Sequence, residues 1–332
     1  MLLITHDFTD PYFNLASEEY FLREFNEEII YLWRNDNAVI VGKHQNTIEE
    51  VNQQYIDRQG IKVVRRLTGG GAVFHDIDNI NYSVILPYES GLFSNYAFFT
   101  DPICEYLNSL DVNAQLNGRN DITIDGLKFS GNAQAVVGSR IMHHGTLLFS
   151  SNPSHIEGAL KPSQLKIESK GVKSVRSRIT NISSHLAKAM TTEEFMSGLY
   201  EFFMKTLPDC KPYSLSSHDI SQIQNLVETR YSRWDWNYGS SPKYTFSNQK
   251  KYDFGLVDVR LNVASGKIEE IKIFGDYFAI KDIEEIESSL KGCLHEPDAV
   301  ARALGAFNIE EYISHMSPEE LVQLITDSSP EL

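Results

Sequence analysis

Three protein classes are disfavoured by what this sequence has little of. Its cysteines, Cys104, Cys210 and Cys293, are odd in number and far apart, which argues against a disulfide framework and fits a reducing compartment. No apolar run reaches the ~18 residues that would read as a membrane span. The first ten residues turn polar and acidic at once and lack the charged-then-apolar layout of a signal peptide. A cytoplasmic protein with no membrane partner is therefore expected. Positive charge is also scarce: 30 Lys and Arg stand against 45 Asp and Glu, a net charge of −15. Neutralising a phosphate backbone needs the opposite surplus, so no nucleic-acid partner is expected. Internal repeats and low-complexity tracts are absent from the pattern as well.

What is present suits an ordinary folded chain of 332 residues, long enough for one large and one small domain. The scarce cations are clustered. Lys62, Arg65 and Arg66 form one group; Lys161, Lys166, Lys170, Lys173, Arg176 and Arg178 form another, with only Glu168 among them. Such groups in an acidic protein suit an anionic ligand, because clefts of one sign focus the field. Solvated surface runs are the plainer reading of either cluster taken alone.

Local patterning alternates helix and strand signals. Residues 14–25 carry apolar positions at helical spacing, with Asn14 as the expected cap. β-type segments follow at 29–34, 38–42, 62–66 and 72–75, with a helical stretch over 49–59 between the second and third. Residues 81–87 read as a buried strand. The helical pattern over 97–110 contains Pro102, which predicts a helix beginning near that proline. Strands are predicted at 122–124, 128–133 and 145–149, and helices at 192–206 and 219–231. Ser240, Ser241 and Pro242 read as a connection. Beyond it, 256–263 and 267–274 alternate around Ser265-Gly266 as an antiparallel hairpin, and helical patterns recur near 283–290, 298–304 and 318–326. A large domain over residues 1–243 and a small α+β domain over 244–332 are expected.

Four segments carry chemistry. RRLTGGGAVFHD (65–76) places three glycines straight after a strand, where backbone amides can approach a ligand and form an anion-binding nest. Arg65 and Arg66 put cations at its mouth; a tight strand-to-strand turn explains the glycines equally well. It is neither a Walker A loop nor a Rossmann fingerprint, since no Gly-Lys-Ser/Thr and no helix follows. In GRNDITIDGLKFSGNAQ (118–134), Asp125-Gly126 is a hairpin turn that sets Lys128 early on the returning strand, with small residues after it. An edge-strand lysine is the alternative there. Asp121 is a candidate for a nucleotide-bound Mg²⁺ or a simple turn residue. His143-His144 lacks further ligands at zinc spacing. KGVKSVRSRITN (170–181) suits a flap over phosphates or a solvated linker.

Taken in order, Trp33-Arg34, GKHQN (42–46), RRLTGGGAVFHD, GRND (118–121), GLKFSGNAQ (126–134), HHGTLLF (143–149), KSVRSRITN (173–181) and WDWNYG (234–239) resemble the lipoate–protein ligases from residue 10 to residue 239. A small accessory domain of the right size extends the resemblance to nearly the whole chain. One departure stands out: Asp78 occupies a position where family members commonly carry glycine.

The resemblance implies an α/β (α+β) fold: a biotin/lipoate-ligase-like catalytic domain with a mixed β-sheet, plus the accessory domain. It implies an enzyme using ATP, Mg²⁺ and lipoate, which forms lipoyl-adenylate and then acylates a lysine of a lipoyl domain. Expected partners are 2-oxoacid dehydrogenase acyltransferase subunits or the glycine-cleavage H protein, with the ligase itself a monomer. Arg66, Gly71, Ala72, Val73, Phe74, Asn79 and Lys128 would hold the nucleotide; Gly69, Gly70, His144 and Lys128 would face lipoate. Lys128 would be the catalytic residue, and Asp121 would meet Mg²⁺ through ATP. The Ser240–Pro242 connection would let the small domain swing. Two alternatives remain: an octanoyl or lipoyl transferase of the same fold, which needs an activated cysteine, and a lipoate or lipoyl-domain binding protein without turnover.

Overall fold

The computed structural model describes residues 1–160, 179–238, 246–264 and 266–326. Most of the expected basic flap, the basic cluster from Lys161 to Arg178, the Ser240–Pro242 connection and Ser265 lie outside them. The chain divides into two compact units. One comprises residues 1–41, 47–67 and 72–238; the other comprises 239–332 together with two short loops from early in the chain, 42–46 and 68–71.

The strands of the first half are β1 (Leu2–Thr5), β2 (Ile29–Arg34), β3 (Ala38–Val41), β4 (Lys62–Arg65), β5 (Val73–His75), β6 (Asn79–Pro87), β7 (Ala114–Asn117), β8 (Asp121–Ile124), β9 (Leu127–Val137), β10 (Arg140–Leu148) and β11 (Lys211–Tyr213). Among the described residues, eight of them form one mixed sheet in the order β11-β1-β2-β6-β10-β9-β8-β7, and β4-β3-β5 form a smaller one. Side-chain alternation along β2 shows how the large sheet is held. Ile30 and Leu32 enter a core with Ile103, Leu107, Leu199 and Phe203. Ile29, Tyr31 and Trp33 enter another with Phe13, Phe21 and Ile223. A strand buried on both faces reads as a continuous apolar run, and burying each such large side chain stabilises by about 1.5–3 kcal/mol.

Helix starts differ from the sequence expectation for identifiable reasons. The first helix is Pro11–Glu24, capped by Asp10, whose carboxylate accepts from Tyr12 N–H at 2.9 Å. Asp followed by Pro is the stronger start signal. Asn14, expected as the cap, is instead buried in the helix and donates to the Phe8 and Arg34 carbonyls. The helix Tyr96–Ser109 is capped by Asn95 and runs through Pro102, so this proline lies inside the helix rather than beginning it. The stretch over 49–59 is two helices, Thr47–Glu50 and Gln53–Gln59, separated where Asn52 caps the second.

The second unit builds its own core. Strands β12 (Phe246–Tyr252), β13 (Gly255–Ala264) and β14 (Lys267–Gly275) form an antiparallel sheet. Val257, Val259, Leu261, Ile271 and Ile273 pack against helices Ile283–Leu290, Pro297–Leu304 and Pro318–Thr326. Among the described residues, no helix is long and apolar enough to cross a membrane.

Candidate active site

The glycine loop is set by the small sheet. β3 runs parallel to β4 and antiparallel to β5, so the chain leaving Arg65 must cross the end of β3 before returning along its other side. Three consecutive glycines make that crossing, each under a different constraint. A Cβ at Gly69 would lie 2.2 Å from the Tyr277 carbonyl oxygen. Gly70 has φ +90°, a conformation that favours glycine; its N–H donates to the same carbonyl at 3.4 Å. A Cβ at Gly71 would meet nothing within 4 Å. The 42–46 loop joins this arrangement: His44 O accepts from Gly275 N–H at 2.8 Å, its ring stacks on Tyr277 at 4.7 Å, and Lys43 pairs with Asp282 at 3.1 Å. Nothing in the sequence pattern assigned these two loops to the same unit as residues near 277.

Arg65 and Arg66 diverge. Arg65 is committed to holding the helix Trp234–Asn237: it donates to Trp236 O at 2.9 Å, Thr47 Oγ1 at 2.7 Å and Asn237 O at 3.2 Å, while the Trp236 indole donates back to Arg65 O. Arg66 is buried and donates to Ile40 O at 3.1 Å. Burial pushes its guanidinium down to about 10 despite the Glu18 carboxylate nearby.

A buried polar cluster lies behind the loop strand. Glu18, 1 % exposed, accepts from Ser83 Oγ at 2.6 Å and meets His144 Nδ1 at 2.8 Å; Ser83 in turn accepts from the Trp33 indole. His75 is pushed down to about 3 by burial, with Arg66 and His144 adding to the shift. Its Nδ1 lies 3.1 Å from the Asn35 amide nitrogen, and its Nε2 has no hydrogen-bond partner among the described residues. Asn79 donates to Asn81 Oδ1 at 2.9 Å; among the described residues Asn79 Oδ1 and Asn81 Nδ2 have no hydrogen-bond partner though both residues are buried. Buried polar groups are nearly always satisfied, by protein or by ordered water. Sequence reading missed Glu18, Ser83 and Asn81. The legible signal was a glutamate on a helix otherwise buried from Phe13 to Leu22.

Lys128 lies on β9, with its ammonium 2.7 Å from Asp121 Oδ1 and both side chains 39 % exposed. Its carbonyl accepts from Thr180 N–H at 2.9 Å, and its backbone bridges Ile179. Asp121 is thus the counter-ion of Lys128. Among the described residues, no group of three or more His, Cys, Asp or Glu is placed to hold a metal. His143 and His144, adjacent on β10, face opposite ways: His143 stacks on Phe99 and meets Gln134, while His144 meets Glu18. The Phe74 ring is buried beside His155, so what this residue offers a ligand is its backbone. Ala72 and Val73 are half-buried. Asp78 is not in the left-handed region; its carboxylate accepts from Thr192 Oγ1 at 2.7 Å, which accounts for a non-glycine residue there. Burial pushes the Cys104 thiol up to about 11, which makes it a poor nucleophile.

Comparison with known proteins fits this fold. Residues 10–204 match the lipoyl protein ligase A/B catalytic domain, and residues 241–325 match the bacterial lipoate protein ligase C-terminus. A lipoate–protein ligase of Bacillus subtilis is 45 % identical, covering 98 % of this chain and 100 % of the relative. Lipoate–protein ligase 1 of Staphylococcus aureus is 42 % identical, covering 97 % and 98 %. Among solved structures, P. falciparum LipL1 in complex with lipoate has a TM-score of 0.78 at 26 % identity, covering 93 % of this chain and 94 % of that one. A lipoate–protein ligase A bound with ATP has a TM-score of 0.62 at 26 % identity, covering 72 % and 98 %. A bipartite ligase from Thermoplasma acidophilum, described with its E2 lipoyl domain, has a TM-score of 0.64 at 27 % identity, covering 74 % and 98 %. The chain belongs to the lipoate–protein ligase family and is a ligase.

Proposed function

We propose that the protein activates lipoate with ATP and passes the lipoyl group to a lysine of a lipoyl domain. The lipoate carboxylate attacks the α-phosphorus of ATP, pyrophosphate leaves, and lipoyl-AMP forms. The acceptor lysine, as a neutral amine, then attacks the acyl carbonyl; AMP departs and the amide forms with loss of one proton. The observation that carries this reading is the half-exposed Lys128 ammonium, paired at 2.7 Å with the half-exposed Asp121 carboxylate in a chain of this family. Both steps build negative charge, on the phosphoryl oxygens and on the acyl oxygen, and a fixed cation aimed at that charge lowers each barrier.

The remaining assignments follow the same chemistry. Backbone amides of Gly71, Ala72, Val73 and Phe74, with Arg66 and Asn79, would hold the nucleotide. Gly69, Gly70 and His144 would face lipoate. Mg²⁺ arrives as the counter-ion of ATP; a single carboxylate such as Asp121, added to phosphate oxygens, fits its preferences. The ATP-bound and lipoate-bound relatives support these substrates. The archaeal ligase described with its E2 lipoyl domain supports the acceptor class, here the 2-oxoacid dehydrogenase acyltransferase subunits or glycine-cleavage H protein. The transferase alternative needs an activated thiol, which buried Cys104 does not supply. Pyrophosphate release on mixing the protein with lipoate and Mg·ATP, without acceptor, is the test. Release that requires lipoate is expected; none would favour a non-catalytic binding protein.

A further inference from the structure

The position of Lys128 is created by an irregularity in its strand. β8 and β9 pair Asp121 with Gly131 and Ile122 with Ser130, but then Thr123 with Lys128. Phe129 is the extra residue, and it is fully buried in the main core. Without such a bulge, Lys128 and Gly131, three apart, would point to opposite faces of the sheet. With it they share one face, and Asp121, opposite Gly131, shares it too.

Gly131 does not owe its identity to its backbone. It is not in the left-handed region, and its N–H donates to Thr146 Oγ1 at 3.3 Å, which any residue could do. The space above it is what is used. A Cβ there would lie 3.0 Å from Lys128 Nζ and 3.2 Å from Lys128 Cε. The lysine stem folds back along its own strand and lies across the glycine to reach Asp121.

From this geometry we infer that Gly131 is a positioning residue for the ligase reaction. It forms the floor on which the Lys128 ammonium is held, so a side chain here displaces that charge from where it acts. This rests on the catalytic role proposed for Lys128. Because the atoms in the way are the far end of a flexible side chain, an alanine is accommodated by moving the lysine, and the fold is kept. Misplacement of a catalytic group by an ångström can cost about 100-fold in rate; a shift of tenths of an ångström predicts about ten-fold.

The test compares wild type, Gly131→Ala and Asp121→Asn in the full chain. Pyrophosphate release is followed with lipoate and Mg·ATP, and acetylation of Lys128 by acetic anhydride is followed by peptide mass spectrometry. Gly131→Ala is expected to lower kcat about ten-fold with KM for ATP within two-fold and thermal midpoint unchanged. It should also raise the acetylation rate of Lys128 toward that of Asp121→Asn, because the ion pair is loosened. An active wild type with Gly131→Ala unchanged in kcat overturns the inference alone. So does a lowered kcat with acetylation unchanged, which would assign the loss to something other than the lysine. A wild type that releases no pyrophosphate removes the ligase reading, and the catalytic half of this inference with it, while acetylation still reports whether Gly131 sets the lysine.

Discussion

Arg65 and Arg66 are neighbours in the chain with separate tasks, and the difference is open to measurement. Arg65 donates to three acceptors, Thr47 Oγ1 and the carbonyls of Trp236 and Asn237, in part-buried hydrogen bonds. A lysine cannot present the same planar fork of donors, and each buried acceptor left unpaired costs about 1–3 kcal/mol. Arg65→Lys should therefore lose about 1–3 kcal/mol or more in urea denaturation, while kcat per folded molecule stays near wild type. Unchanged stability with lost turnover would instead place Arg65 on the ligand. The doublet Arg-Arg at a glycine loop was legible in the sequence. The contacts of Arg65 with the helix Trp234–Asn237 were not, because they join residues some 170 positions apart.

At the scale of elements, the glycine loop separates two reasons for glycine that the triplet hides. Gly69 is required by close approach of the Tyr277 carbonyl, so Gly69→Ala should displace the loop from the 275–278 segment. Faster amide exchange at Gly70, whose N–H meets that carbonyl, is the expected readout; unchanged exchange would contradict it. Gly71 has open space where a Cβ would go, so Gly71→Ala should alter stability by no more than about 0.5 kcal/mol. It should nevertheless raise KM for ATP if the ligand approaches the backbone there. An unaffected KM would remove Gly71 from the nucleotide site. Strands read well from sequence where alternation or apolar runs were continuous: β2 begins and ends where expected, and β13–β14 form the expected hairpin. Strands β1, β7 and β11, at three or four residues, are too short for a periodicity to register. The bulge beside Lys128 leaves no mark in composition, since it depends on how Phe129 meets the core.

For the whole molecule, buried neutral histidines set the acid limit of stability. Burial holds His75 down at about 3 and His143 well below its ordinary range, with His144 adding to both and Arg66 to the first. In the unfolded chain each takes up a proton as pH falls through about 6.5. The unfolded state therefore binds more protons below that pH, and stability, full above it, declines as pH drops toward the folded values. For His75 this costs about 2 kcal/mol at pH 5. His143→Gln, whose amide can still meet Gln134 and Asn132, should flatten the slope of stability between pH 6.5 and 5. An unchanged slope would show that other groups govern acid unfolding.

We propose that Lys128 drives ATP-dependent transfer of a lipoyl group to a protein lysine. The most direct test is the intact mass of a purified lipoyl domain after incubation with this protein, lipoate and Mg·ATP, with Lys128→Ala in parallel. A gain of one lipoyl group that requires ATP and disappears in the variant is the predicted result. An equal gain with Lys128→Ala, or with ATP omitted, would contradict it.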